Sequence, residues 1–146
     1  MDLKRHTFTT DLNGEPITLE ISALAKQANA AVIGRYGDTA VLAAVVMGDA
    51  DKGGDFFPLT VDYEERFYAV GKIMGSRFIR REGRPSDGAT LSARLIDRTI
   101  RPLFDHRLRR EVQVTITILA YDGAHDPNVV ALLATSTALS ISDIPW

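Results

Sequence analysis

Apolar and polar positions first alternate along this chain with the two-residue period of a strand and later adopt the longer period of a helix. Thr7 to Thr10 and Ile17 to Ile21 read as two strands, separated by Asp11-Leu12-Asn13-Gly14. Asn-Gly tolerates positive φ, so a tight hairpin turn is expected there. Ala30 to Tyr36 and Thr39 to Met47 form a second hairpin across Gly37-Asp38. The run Ala40 to Val46 is apolar on both faces, which predicts a central strand. Phe56 to Phe67 is a further strand candidate, and Pro58 near its start argues for an edge or a bulge.

Residues 69–88 contain Gly71, Gly75, Gly83, Pro85 and Gly88 and read as a long loop. Loops of that length are usually functional or disordered. A helix is predicted from about Gly88 to Leu103, with Ser86 or Asp87 as its cap and Pro102 at its end. Val112, Val114, Ile116 and Ile118 alternate with Gln113, Thr115 and Thr117, as in a half-buried strand. Asp126-Pro127 has the chemistry of a helix start, and the helix is expected to reach about Ser140. Its Ala131, Ala134 and Ala138 permit close packing on a sheet. The fold class that follows is α+β: N-terminal hairpins forming a mixed sheet with helices packed on it, in one domain over 1–146.

Composition adds limits. The 146 residues suffice for a core, and a hydrophobic share of 45% is ordinary for a globular protein. No run approaches the roughly 20 apolar residues that cross a bilayer, and the polar start at Met1 to His6 is not that of a signal peptide, so no membrane association is expected. Without cysteine there are no disulfides and no thiolate sites, which fits a cytoplasmic location.

Charge changes the picture more. The chain's net charge is only −2. Yet the stretch from Arg77 to Arg110 holds ten arginines against four acids, so the rest of the chain is strongly acidic. A basic site on an acidic body is the implication. At about 100° per residue, Arg94, Arg98 and Arg101 share one narrow stripe of the first helix. Leu95, Ile96, Thr99, Ile100 and Leu103 fall on its apolar side, opposite most of that stripe. Asp97 stands beside the arginines, placed to pair with Arg94 or Arg101. The preceding loop adds Arg77, Arg80, Arg81 and Arg84, with Phe78 and Ile79 among them. Guanidinium forks match phosphate oxygens and an aromatic ring stacks on a base, so the combination points to single-stranded RNA. The bland alternative is a solvated helix face with internal ion pairs.

Other motifs carry little. Asp49, Asp51 and Asp55 resemble a calcium loop, but Thr60 stands where its glutamate is needed. His6, His106 and His125 lack ligand spacing and read as surface or structural residues, and Asp62, Glu64 and Glu65 read as a solvated edge. No metal site and no catalytic residue is assigned.

The blocks Asp55 to Arg66, Gly71-Lys72-Ile73, Arg80 to Ser86, Arg94 to Arg98 and Ile100 to Phe104 occur together in this order. In these blocks the chain resembles bacterial polynucleotide phosphorylases, the polyribonucleotide nucleotidyltransferases. The resemblance implies a ribonuclease PH-like fold and, specifically, most of the first of that family's two such domains, with the remaining domains absent and the chain cut before the domain ends. It also implies a cytoplasmic homotrimer that degrades RNA from the 3′ end with inorganic phosphate, using Mg²⁺, and that has RNA-decay partners. Phosphate and Mg²⁺ belong to the family's second such domain, so this chain is expected to bind neither and to be inactive alone. The RNA-binding roles implied fall on Phe78, Ile79, Arg80, Arg81, Arg84, Arg94, Arg98 and Arg101. Ile79 replaces an aromatic residue of the family's loop, Met74 and Thr99 stand where proline is frequent, and Arg77 resembles an insertion.

Overall fold

A computed structural model describes residues 5–51, 53–73, 75 and 83–146. Among these, six strands form one mixed sheet with two helices. The strands are β1 (His6–Leu12), β2 (Glu15–Ile21), β3 (Ala30–Tyr36), β4 (Thr39–Asp51), β5 (Leu59–Glu64) and β6 (Arg110–Ala120). The helices are α1 (Asp87–Ile100), between β5 and β6, and α2 (Pro127–Ile141), after β6. The sheet order is β1-β2-β3-β4-β6-β5, with only β5 and β6 parallel.

The β1–β2 turn forms as its Asn-Gly pair demands. Asn13 and Gly14 both take positive φ, and the Gly14 N–H donates to Asp11 Oδ1 at 2.8 Å. β4 lies inside the sheet, and β5, with Pro58 just before it, lies at an edge. Pro58 has no N–H to offer, but its carbonyl accepts from Val112 N–H, which carries the parallel pairing one step beyond the strand. β5 is shorter than the predicted Phe56 to Phe67 strand, because Phe67–Val70 coil into a 3-10 turn closed by Gly71 at φ 66°.

Alternation divides the sheet into two faces. Val41, Ala43 and Val45 of β4 lie opposite Ile118, Ile116 and Val114 of β6, and all are buried under the helices. Leu42, Ala44 and Val46 lie opposite Thr117, Thr115 and Gln113 on the other face. Polar side chains lace that face: Gln113 donates to Asp62 and Thr117 to Glu64.

Asp126 caps α2 through Asn128 N–H, and Pro127 fills its first position. Val130, Ala131, Ala134, Thr135, Ala138 and Leu139 are buried. The helix sits so close to β3 that a Cβ on Gly34 would lie 2.7 Å from Val130 Cγ1. Ser86 caps α1, its Oγ accepting from Ala89 N–H at 3.0 Å and donating to Glu65 at 2.6 Å. The predicted apolar side of α1 needs a correction. Its buried residues are Ala89, Ile96 and Ile100, whereas Leu95 and Leu103 are 55% and 61% exposed, and Leu91 beside them is 64% exposed. The helix docks through a narrower arc containing alanines, so the leucines stay on the outer surface.

Candidate RNA-binding surface

Helix α1 carries three of the predicted site residues and gives them two different environments. Arg101, just past the helix, is turned inward. Its Nε donates to Asp97 Oδ2 at 2.9 Å and its Nη2 to Asp97 Oδ1 at 2.6 Å, a two-pronged pair. The same group reaches back to β5, donating to the carbonyls of Phe57 at 3.3 Å and Leu59 at 3.1 Å. It also lies 5.9 Å from the centre of the Phe57 ring. The hydrogen bond to Asp97 is the chief reason its pKa is raised further above an already high value. Of the two partners open to Asp97 in the sequence, the helix selects Arg101. Arg101 therefore fastens α1 to the sheet edge and has few donors left for a ligand.

Arg94 and Arg98, one turn apart on the same helix, are exposed. Neither has a hydrogen-bond or ion-pair partner among the described residues. Two adjacent guanidinium groups, unpaired among the described residues and with the exposed Leu91 and Leu95 beside them, form a surface that attracts polyanions. Arg84 is also exposed. It borders a cleft of about 690 Å³ at the C-terminal ends of β5 and β6, where Tyr63, Ser86, Tyr121 and Asn128 also line the wall. Buried Tyr63 holds its phenol well above the usual range, because burial and then the charge of Glu65 oppose ionisation. The remaining predicted residues, Phe78, Ile79, Arg80 and Arg81, lie outside the described residues.

Arg77 also lies outside the described residues, and the last three arginines of the basic segment are engaged locally. Arg107 pairs with Asp105, whose carboxyl is lowered to about 2 chiefly by that hydrogen bond. Arg109 donates to the carbonyls of His106 and Leu108, and Arg110 to Gly48 O and, at 3.4 Å, to Asp49. The basic character that counts for a ligand is thus concentrated on Arg84, Arg94 and Arg98 among the described residues.

One cluster escaped sequence reasoning. His125 lies between two carboxylates, Asp122 at 2.5 Å and Glu15 at 2.6 Å, with the Tyr36 ring 4.3 Å away. The Asp122-x-x-His125 spacing was a local signal, but Glu15 is 110 residues distant in sequence. No group of three or more His, Asp or Glu side chains is arranged to hold a metal among the described residues. No helix among these residues is long and apolar enough to cross a membrane.

Residues 13–145 match the family described as the 3′ exoribonuclease family, domain 1, the ribonuclease PH domain. The chain belongs to that family. This ribonuclease PH domain is 55% identical, over all its 146 residues, to a polyribonucleotide nucleotidyltransferase of Exiguobacterium sibiricum. It is 54% identical to that of Anoxybacillus flavithermus, again over its whole length. The chain spans about one fifth of the length of these relatives, 20% and 21% respectively. Among solved structures, the fold is similar to a chain of the Archaeoglobus fulgidus exosome with RNA bound to the active site. The TM-score there is 0.66 at 22% identity, covering 88% of this chain and 52% of that one. Rice Rrp46 is similar with a TM-score of 0.57 at 15% identity, covering 93% and 54%. At these identities the structural likeness establishes the ribonuclease PH-like fold predicted from the sequence.

Proposed function

We propose that this ribonuclease PH domain holds single-stranded RNA within a cytoplasmic, ring-forming polyribonucleotide nucleotidyltransferase. That enzyme shortens RNA from its 3′ end with inorganic phosphate and releases nucleoside diphosphates. The observation that carries the proposal is the pair Arg94 and Arg98, exposed and without partners among the described residues, on a helix whose third arginine is committed to Asp97. Their forks hold backbone phosphates, which every RNA sequence shares, so binding is independent of sequence. Arg84 joins them in binding RNA, as do Phe78, Ile79, Arg80 and Arg81, with the two loop arginines on phosphates and the ring of Phe78 stacked on a base. Arg101 acts on RNA through α1, by keeping the helix seated. Phosphate and Mg²⁺ are bound by parts of the enzyme beyond this domain, and the domain alone does not turn over RNA.

The test is phosphorolysis of poly(A) by the full-length protein carrying Arg94→Ala and Arg98→Ala. Nucleoside diphosphate release is expected with KM for RNA raised about tenfold or more, from two lost charge-assisted contacts. An unchanged KM would overturn the assignment of these residues. Absence of phosphate-dependent release by the unmodified full-length protein would overturn the activity itself.

A further inference from the structure

A second cluster of the described residues, formed by Glu15, Asp122 and His125, joins three elements of the fold. His125 leads into α2, Asp122 follows β6, and Glu15 opens β2 at the tip of the β1–β2 hairpin. Oδ1 of Asp122 accepts from the backbone N–H groups of Ala124 and His125 at 2.8 and 2.9 Å, and its Oδ2 accepts from Asp38 N–H at 3.1 Å. The buried Thr39 hydroxyl stands 3.0 Å from Asp122 Oδ1 and 3.2 Å from the His125 carbonyl. With so many donors on it, Asp122 is held well below the usual carboxylate range, first by His125 N–H and then by the imidazole. Asp122 is thus a fixed anion.

The imidazole is pressed onto the β3–β4 turn. A Cβ on Gly37, which has φ 56°, would lie 2.4 Å from the ring, so both the turn and the ring require glycine there. The groups facing the ring are Asp122 of its own loop, Glu15 from β2, and the uncharged ring of Tyr36 from β3. The turn contributes backbone and sends Asp38 N–H to Asp122.

Both ring nitrogens therefore face oxygens that, when ionised, only accept. A neutral imidazole has one N–H and can satisfy one carboxylate; an imidazolium satisfies both. Glu15 is the partner that neutral His125 releases, because its side chain is 56% exposed and makes no other hydrogen bond among the described residues, whereas Asp122 is 15% exposed and held by backbone donors. The second tie at the hairpin tip is a bond from the Tyr36 hydroxyl to Leu12 O at 3.1 Å. β1 is otherwise an exposed edge strand that pairs only with β2.

We propose that Glu15 and His125 form a proton-dependent clasp that fastens the β1–β2 hairpin to the β6–α2 loop and opens when His125 loses its proton. Hydrogen bonds to Asp122 first and Glu15 second raise the pKa of His125 above its ordinary 6.5. The sign follows: the clasp contributes fully below about 6.5 and is lost as pH rises through the higher folded value.

Two measurements test this on the whole chain. In an NMR titration with labelled histidine, His125 is expected to titrate above the ordinary 6.5. Hydrogen exchange at the hairpin amides, corrected for the intrinsic pH dependence, is expected to accelerate about two- to fivefold across that transition, the scale of a partly exposed ion pair. Glu15→Gln separates the clasp from a general pH effect. A glutamine amide donates to the bare nitrogen of neutral His125, so the variant keeps its hairpin protection and loses the pH step. Unchanged protection at β4 and β6 amides verifies that the variant is folded. The proposal is overturned if His125 titrates at or below the ordinary 6.5, or if the step persists in Glu15→Gln.

Discussion

The two helices pack beside each other on one face of the sheet yet are built in opposite ways. Helix α2 carries no charged side chain between Pro127 and Ile141, and it buries Val130, Ala131, Ala134, Thr135, Ala138 and Leu139. Small residues let it sink onto β3 and β4. Helix α1 buries only Ala89, Ile96 and Ile100 and keeps two arginines and two leucines in the open. One helix serves the core. The other is held by a few anchors, Arg101 among them, and presents its outer surface. The proposed function thus falls on the less buried of the two helices, whose outer side chains are left over for a ligand.

The sharpest way to break the contrast is to crowd α2. In Gly34→Ala the new methyl meets Val130 Cγ1, and the neighbouring Ala134 Cβ is 3.3 Å away. Overpacking of this kind costs about 1–3 kcal/mol. Urea unfolding is expected to show that loss, and an unchanged midpoint would mean that α2 rides higher on the sheet than described.

A smaller effect is expected at the anchor of α1. Arg101→Ala strands Asp97 and removes donors from the carbonyls of Phe57 and Leu59. The expected loss is about 1–2 kcal/mol, moderated by partial exposure of the pair. Arg94→Ala and Arg98→Ala, on the same stripe, should stay within about 0.5 kcal/mol of the parent in the same assay. If all three behave alike, the distinction between anchor and ligand-facing arginines disappears. The smallest effect concerns Leu91→Ser, expected within about 0.5 kcal/mol in this isolated chain because Leu91 is on the outer surface. A loss of the size expected at a core leucine would place Leu91 on the buried face.

The sheet was legible because period-two alternation and turn chemistry are local. Asn13-Gly14, Gly37-Asp38 and Asp126-Pro127 mark their boundaries within a few residues, and Pro58 marks an edge. The seating of α1 was not legible. Apolar periodicity ranks leucine above alanine, but a helix that docks closely buries small side chains, so Ala89 went in and Leu95 stayed out. The stripe of Arg94, Arg98 and Arg101 was legible as a stripe. Its division was not, because Arg101 is satisfied by carbonyls 42 and 44 residues earlier. The clasp at His125 was invisible for the same reason, since Glu15 enters only through the pairing of distant strands.

The most direct measurement is the salt dependence of single-stranded RNA binding by the full-length protein and its Arg94→Ala, Arg98→Ala variant. Each phosphate contact contributes about 0.7 to the slope of log affinity against log salt. The variant is expected to lose about 1.4 from that slope with no change in fold. Identical slopes would contradict the account, because they would mean that neither arginine meets a phosphate.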